Sequence, residues 1–292
     1  MAGIGGIYVF WALYFLAAVV CQILTGDFPS AFFAFPVNAA FMLLWMAVLW
    51  VLFREKRGSW TVDRLLLSRH TTYIVATAAF AAFLIQGFSS RTCTGTWWFV
   101  AAIFALLTNL FLVLLRGMSF HRPYRLRFFL NHAGLFLALS GGFFGSPDNA
   151  ELMTVANIHV PVRNATDKDG HAAALDHDFL LSGFYMDSYM DGTARNFEAD
   201  VVVDGRETVR LKVNHPHSLS WQDDLYLYGF TPDNAGKTGT DSCILQVVRH
   251  PWKYVELAGI LMLLGGAFML FVQGPAVKSS GNADNSREGG VS

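Results

Sequence analysis

Six long apolar stretches dominate the chain, and short polar segments separate the first five of them. Each is about 17–22 residues long, which is the length of α-helix that crosses the hydrocarbon core of a bilayer. The pattern therefore predicts six transmembrane helices, at Ile7–Leu24, Val37–Phe53, Thr71–Gly87, Trp97–Leu115, Phe128–Gly145 and Tyr254–Val272.

The segment between the fifth and sixth stretches, residues 146–250, follows a different pattern. Apolar and polar residues alternate there, which is typical of β-strands with one buried face. We predict strands near residues 152–162, 179–186, 196–203, 206–213, 224–230 and 243–249. Asp204-Gly205 lies between two β-branched runs and predicts a type I′ hairpin turn.

The predicted fold class is an α-helical membrane protein with about six transmembrane helices and an external β-rich domain of about 100 residues between helices five and six. Residues 58–69 are expected to lie along the cytoplasmic interface as a short amphipathic helix. The chain then divides into two N-terminal helices (1–53), three further helices (54–145), the β domain (146–250), the last helix (251–273) and a disordered cytoplasmic tail (274–292).

Basic residues are concentrated in the loops that follow the second and fourth apolar stretches. The loops after the first and third stretches contain Arg91 alone. Because basic loops stay in the cytoplasm, both termini are predicted to be cytoplasmic and the β domain to lie outside, with the protein in the bacterial inner membrane. The nine basic residues in question are Arg54, Lys56, Arg57, Arg64, Arg69, Arg116, Arg122, Arg125 and Arg127.

Composition agrees with this reading. The chain of 292 residues is 53% hydrophobic and 15% charged, whereas soluble proteins carry about 25% charged residues. The lipid bilayer is therefore one expected partner. The net charge of −1 argues against a nucleic acid as another. The three cysteines have no paired spacing, which excludes a Cys-x-x-Cys zinc or redox site.

The candidate chemistry centres on His132, near the start of the fifth predicted helix. A titratable imidazole is costly in hydrocarbon, so this position indicates a function, and imidazole is a ligand of haem iron. The alternative is a histidine that bonds a neighbouring helix or reaches the interface. Gly134 would let either a flat ring or a partner helix approach closely, and Asn109 is expected to form an interhelical hydrogen bond.

Several motifs share a family pattern. Asn131-His132-Ala133-Gly134 opens the fifth helix, and Val213-Asn214-His215-Pro216 is followed by Leu225-Tyr226-Leu227-Tyr228. The segment 243–251, Cys-Ile-Leu-Gln-Val-Val-Arg-His-Pro, then leads into a glycine-rich last helix. Over residues 70–272 the chain resembles the ResB (CcsB) family of system II cytochrome c biogenesis.

The resemblance implies a haem-handling membrane subunit. It would act with a CcsA (ResC)-type membrane partner to move haem outward and attach it to apocytochrome c. Haem b would bind transiently, with His132 as an axial ligand of the haem iron. The chain departs from the family in a short external domain and in two additional helices within residues 1–53. It also lacks the Trp-rich motif of CcsA, so it is at most one half of a cytochrome c haem lyase.

Three further histidines, His70, His215 and His250, are candidates for haem binding, and for each we favour a structural alternative. His70 either pairs with His132 as the second axial ligand or faces lipid headgroups beside Arg69. His215 and His217 flank Pro216, and their spacing suits a metal site as well as a surface loop. His250, at the outer membrane surface, either lines an exit for haem or begins the last helix.

Cys93 and Cys243 are both expected outside and close to the membrane. A disulfide between them would join the first external loop to the last strand in an oxidising compartment.

A competing function is a structural assembly factor of the same membrane complex that binds no haem. His132 would then be a packing residue, and the external domain would hold partners. The sequence leaves open whether the protein is an enzyme.

Overall fold

The computed structural model describes residues 2–56, 60–89, 92–118, 125–190, 194–230 and 240–273. The six predicted helices are confirmed, and each is long and apolar enough to cross a membrane. The predicted tail, 274–292, lies outside the described residues. The helices are α1 (Ala2–Thr25), α2 (Val37–Glu55), α3 (Arg69–Phe88), α4 (Trp97–Met118), α5 (Arg125–Gly145) and α6 (Lys253–Gln273).

Polar contacts between helix ends establish how the helices alternate in direction. At one end of the bundle, the Tyr8 hydroxyl of α1 lies 3.1 Å from Nδ1 of His70, which begins α3. At the other end, Gln22 of α1 accepts a hydrogen bond from the backbone N–H of Trp97, which begins α4. Basic residues gather at the first of these ends, which we call the basic end: Arg54, Lys56, Arg64, Arg69, Arg116 and Arg127.

Helix α4 forms the centre of the bundle and packs against α1, α2, α3 and α5. Leu107 and Leu112 of α4 have no exposed surface. Aromatic rings fill the space between α2, α4 and α5, where Phe136 stacks on Trp45 with ring centroids 6.2 Å apart and packs 5.3 Å from Phe111. Close packing around α4 thus fixes the positions of its neighbours.

The segment that was expected to lie along the membrane surface is helical but packs into the bundle. Residues Trp60–Leu66 form a π-helix, and Val62 and Leu65 are buried. Its last carbonyl groups receive side-chain donors from the bundle: Thr71 Oγ1 donates to Leu65 at 2.6 Å, and Asn109 Nδ2 donates to Leu66 at 2.6 Å. These bonds satisfy backbone groups that a helix end leaves unpaired, and they confirm the predicted interhelical role of Asn109.

All eight strands lie in the chain between α5 and α6. They form one antiparallel sheet in the order β5-β4-β3-β2-β1-β8-β7-β6. The bounds are β1 Ala150–Asn157, β2 Val162–Asp167, β3 Ala172–Ser188, β4 Ala194–Val203, β5 Glu207–Lys212, β6 His217–Ser218, β7 Asp223–Phe230 and β8 Ser242–Arg249.

Two of these strands are absent from the sequence prediction. In β2, only Ala165 is buried, so the segment lacks the apolar alternation that marks a strand. Strand β6 has two residues, too few to show a period. The predicted hairpin turn is confirmed, because Asp204 and Gly205 have φ of 52° and 65° between β4 and β5.

The sheet curls around its own core. Leu211 of β5 and Leu225 of β7 come from strands near opposite edges of the sheet, yet both belong to one fully buried cluster with Phe179 and Leu245. Curling brings β5 against β7 and leaves one enclosed apolar interior. The domain therefore has a core separate from that of the helices.

Replacing Asn109 with Leu should destabilise the bundle by about 1–2 kcal/mol, because the Leu66 carbonyl loses its donor in an apolar setting. Thermal unfolding in detergent measures the loss. Thr108→Val is the matched control, since Thr108 donates only to Phe104 of its own helix. Equal losses in the two variants would contradict a special role for the Asn109 bond.

Candidate functional site

His132 lies on α5, seven residues from the start of the helix at Arg125. At about 1.5 Å per residue, it is roughly 10 Å from the basic end of α5. Its ring is half-buried and stacks on Phe128, with centroids 4.0 Å apart and planes 24° apart. The stacking and the helix backbone hold the imidazole in one orientation.

The hydrogen bond of His132 determines which ring nitrogen is available. Nδ1 lies 2.9 Å from the Phe128 carbonyl oxygen. A carbonyl oxygen can only accept, so Nδ1 carries the proton and donates it. In the tautomer that makes this bond, the lone pair resides on Nε2, which contacts no donor or acceptor within the described part of the chain. Histidines that bind metals commonly have this arrangement, with one nitrogen tied to a carbonyl and the other free to coordinate.

Helix α5 packs closely against the antiparallel α6. We call this contact the α5–α6 seam. A Cβ added to Gly134 would lie 2.7 Å from the carbonyl oxygen of Gly259 on α6. One added to Gly141 would lie 2.6 Å from the side chain of Glu256. Gly134 and Gly141 are seven residues apart and share a helix face. The sequence analysis predicted that Gly134 admits either a flat ring or a partner helix. The structure shows a partner helix, α6, at this position.

The structure places His70 against α1 rather than against His132. The Tyr8 hydroxyl lies 3.1 Å from its Nδ1, and the two rings meet edge to face at 5.9 Å. Helix α3 packs on α4, which separates it from much of α5. Among the described residues, the hydrogen bond and the ring contact of His70 are both with Tyr8 and not with His132.

His250 belongs to the connection between the sheet and the helices. We call this connection the sheet–helix junction and define it by Asp223, Asp224, Arg249, His250 and Lys253. His250 Nε2 lies 3.0 Å from Glu256 Oε1, so this nitrogen already has a partner. Lys253 donates to Asp224 at 2.7 Å, and Arg249 donates to Asp223 at 2.8 Å.

The charges of the junction shift the pKa of Asp224 and that of Arg249. Partial burial by itself raises the pKa of Asp224, but the hydrogen bonds from Lys253 and Ser218 outweigh burial and hold this pKa below its usual range. The hydrogen bond to Asp223 raises the pKa of Arg249, against the opposing effect of burial. The two ion pairs connect β7 to β8 and to α6.

Asp148, immediately after α5, is a contact point that the sequence analysis missed. Its carboxylate accepts hydrogen bonds from Asn38 Nδ2 at 2.7 Å and from the indole N–H of Trp252 at 2.8 Å, and it also accepts the backbone N–H of Phe35. It thereby joins α2, α5 and the start of α6. An acidic residue next to Pro147 at a predicted helix end was the available signal.

His215 lies in the turn between β5 and β6, exposed and next to Asn214, which has φ of 61°. His217 is half-buried and pairs with Leu225 of β7. Neither belongs to a cluster of potential metal ligands. Among the described residues, the one such cluster is Asp167, Asp169 and His171, at an exposed turn where Asp167 accepts backbone N–H groups from the other two.

The predicted disulfide between Cys93 and Cys243 is not formed in the structure, where each residue keeps its thiol. Cys243 is fully buried in the core of the sheet, and burial raises its pKa to about 12. It lies six residues before Arg249 on β8, which is roughly 20 Å along a strand from the junction. Cys93 lies between α3 and α4, where its backbone N–H donates to Gln86.

Comparisons with known proteins are sparse. No protein-family model and no curated protein matches the chain. Among solved structures, the chain is similar to one titled "Cytochrome c Heme Lyase CcmF", with 14% sequence identity and a TM-score of 0.40. The alignment covers 91% of this chain and 45% of that one, so the chain spans about half the length of that protein.

Gly134→Ala should destabilise the protein by about 1–3 kcal/mol, because the new methyl group meets the backbone of Gly259 and forces α5 and α6 apart. Gly142→Ala is the matched control on the same helix, since the nearest atom to its Cβ is 3.8 Å away. Thermal unfolding of both variants in detergent gives the comparison. A Gly134→Ala protein as stable as Gly142→Ala would contradict a tight seam.

Asp224→Asn should lower stability at neutral pH by about 1 kcal/mol, because Lys253 loses its charged partner. The pKa of Asp224 is lowered by folding, so its contribution is complete above the unfolded value, about 3.9, and is lost as pH falls through the folded value. The gap in melting temperature between wild type and variant should thus close in acid. Asp187→Asn, at an exposed site on β3, should show no comparable pH-dependent gap.

Proposed function

We propose that the protein is a haem-handling membrane subunit of system II cytochrome c maturation. It acts with a CcsA (ResC)-type partner to move haem outward and to attach it to apocytochrome c. The observation that carries the proposal is the geometry of His132, whose Nδ1 is tied to the Phe128 carbonyl while Nε2 retains the lone pair.

Haem fits His132 chemically as a transient cargo. A neutral imidazole with a free Nε2 is an axial ligand of haem iron. The ring is half-buried on α5, so a flat ligand can reach it from outside the bundle. Among the described residues, the histidines at 70 and 250 have contacts of their own with Tyr8 and Glu256. We therefore assign the second axial ligand to the partner protein.

The most family-like segments of the sequence support the proposal because the fold brings them together. Val213–Pro216 leads into β6, Leu225–Tyr228 lies in β7, and the segment ending at His250-Pro251 lies in β8. Strands β6, β7 and β8 are neighbours in the sheet. All three segments thus belong to the edge of the sheet that is fastened to α6, which is the part that would hold the domain over a haem exit or against a partner.

The distribution of charge supports an orientation. The basic end carries most of the arginines and lysines that flank the helices, and basic flanks favour the cytoplasmic side of a bacterial inner membrane. His132 then lies on the cytoplasmic side of the bilayer, where haem enters, and the sheet lies outside, where apocytochrome c is found. Positive charge at this end also attracts the anionic propionates of haem.

A scaffold that binds no haem is the competing function. The dense ion pairing of the sheet–helix junction favours it, because a rigidly held external domain is what a scaffold requires. In that function, stacking of His132 on Phe128 serves packing alone.

Measurements on the His132→Ala variant distinguish the haem-handling function from the scaffold function. The full chain, co-expressed with a CcsA-type partner and purified, should show a reduced haem spectrum that is lost in the variant and restored by added imidazole. Cytochrome c maturation should fall in parallel. His70→Ala, which alters the His70 contact with Tyr8, should leave the spectrum intact. Full haem content and full maturation in His132→Ala would establish the scaffold instead.

A further inference from the structure

A cavity of about 600 Å³ opens among α1, α2, α4 and α5, at the end of the bundle opposite to the basic end. It extends along α1 from Tyr14 to Cys21 and along α5 from Ala138 to Phe144. We propose that this cavity binds one hydrocarbon chain of a zwitterionic membrane phospholipid, with the headgroup at the rim. The proposal is independent of haem binding by His132.

The tyrosine, tryptophan and asparagine side chains of the wall are already paired, so this part of the cavity has little to offer water. The Tyr14 hydroxyl donates to the Ala101 carbonyl at 3.0 Å, and the Trp97 indole donates to Thr25 at 3.0 Å. The Asn38 amide donates to the Phe144 carbonyl and to Asp148. Most of the remaining wall is phenylalanine, alanine and other apolar side chains. A dry apolar space of this kind takes an apolar occupant.

The size and the opening of the cavity suit a lipid chain. At about 30 Å³ for a water-sized group, the space holds roughly 20 methylene-sized groups, the content of one long acyl chain. Helices α1 and α2 both pack on α4, and two wall residues, Ala17 of α1 and Phe41 of α2, are exposed. A chain can therefore enter sideways from the bilayer.

The polar and charged groups at the rim of the cavity favour one class of lipid headgroup. Ser30, Thr94 and Ser146 place hydroxyl groups where the helices end. Two carboxylates lie beside the rim: Asp27 precedes the wall residue Phe28, and Asp148 follows the wall residue Pro147. Within the described residues, the wall contains no lysine or arginine. This charge pattern favours an ammonium-bearing headgroup such as phosphatidylethanolamine over an anionic one.

The first test counts retained lipid. The full chain, incorporated in phosphatidylethanolamine vesicles, is extracted into detergent, stripped of loosely bound lipid and analysed by native mass spectrometry. Wild type should retain a single phospholipid. Ala18→Trp, which fills the cavity from a buried wall position, should lose it. Ala12→Trp, at an exposed position of α1 outside the wall, should keep it.

The second test needs no change to the wall. With Cys93→Ser and Cys243→Ala, Cys21 in the wall is the sole thiol. Its reaction with a small maleimide should accelerate about tenfold on delipidation, which corresponds to roughly nine-tenths occupancy, and should slow again when phosphatidylethanolamine is added. A thiol at exposed Val20, placed by Val20→Cys with Cys21→Ala in the same background, should react at an unchanged rate.

Several outcomes overturn the proposal. An unchanged Cys21 rate on delipidation would show that no chain occupies the cavity, even if Ala18→Trp failed to fold. Retention of phospholipid in folded Ala18→Trp would place the lipid elsewhere. A retained isoprenoid or tetrapyrrole in place of phospholipid would assign the cavity to another ligand.

Discussion

The close contact of α5 with α6 is the constraint on which the rest of the structure depends. At Gly134 and Gly259 the backbones approach so closely that no side chain fits between them, and at Gly141 the side chain of Glu256 fills the space. Apolar side chains give helices little reason to prefer one another over lipid, so small residues and backbone contact supply the specificity. The chain leaves α5 into the sheet and returns through α6. The seam therefore sets both the orientation of His132 on α5 and the spacing of the two segments that carry the sheet.

Polar contacts also hold the helices and the sheet in position. At the sheet end, Asp148 receives donors from Asn38 and Trp252, while Lys253 and Arg249 bind carboxylates of β7. Near the basic end, Asn109 and Thr71 satisfy carbonyl groups of the π-helix. Backbone groups left unpaired in an apolar surrounding are costly, so each of these donors holds its segment in place. The seam, the junction and the π-helix together make the helices and the sheet a connected frame.

Within this frame, the two candidate ligand sites lie toward opposite ends of α5. His132 belongs to the half of the helix near the basic end, and the cavity reaches the other half through Ala138 and Gly142. Their chemistry differs accordingly. The imidazole offers one coordinating nitrogen at a half-buried position, whereas the cavity wall offers dispersion contact and polar groups that are already paired. One suits a metal-centred planar ligand, and the other suits a hydrocarbon chain.

The sequence by itself determined the six helices, the β-rich segment between the last two and the turn at Asp204-Gly205, because hydrophobic period and turn chemistry are local properties. It also singled out His132 and Asn109 as polar residues in apolar runs. Strand β2 was missed because Ala165 alone faces the core. The predicted disulfide between Cys93 and Cys243 is not formed in the structure, because nearness to the membrane in the sequence pattern does not show how far along a curled sheet Cys243 lies. Only the tertiary structure decided which His132 nitrogen is free, which helix approaches Gly134 and where the cavity lies. These depend on contacts between residues that are distant in the chain, or on the side-chain rotamer that packing selects, and neither is encoded in a local pattern.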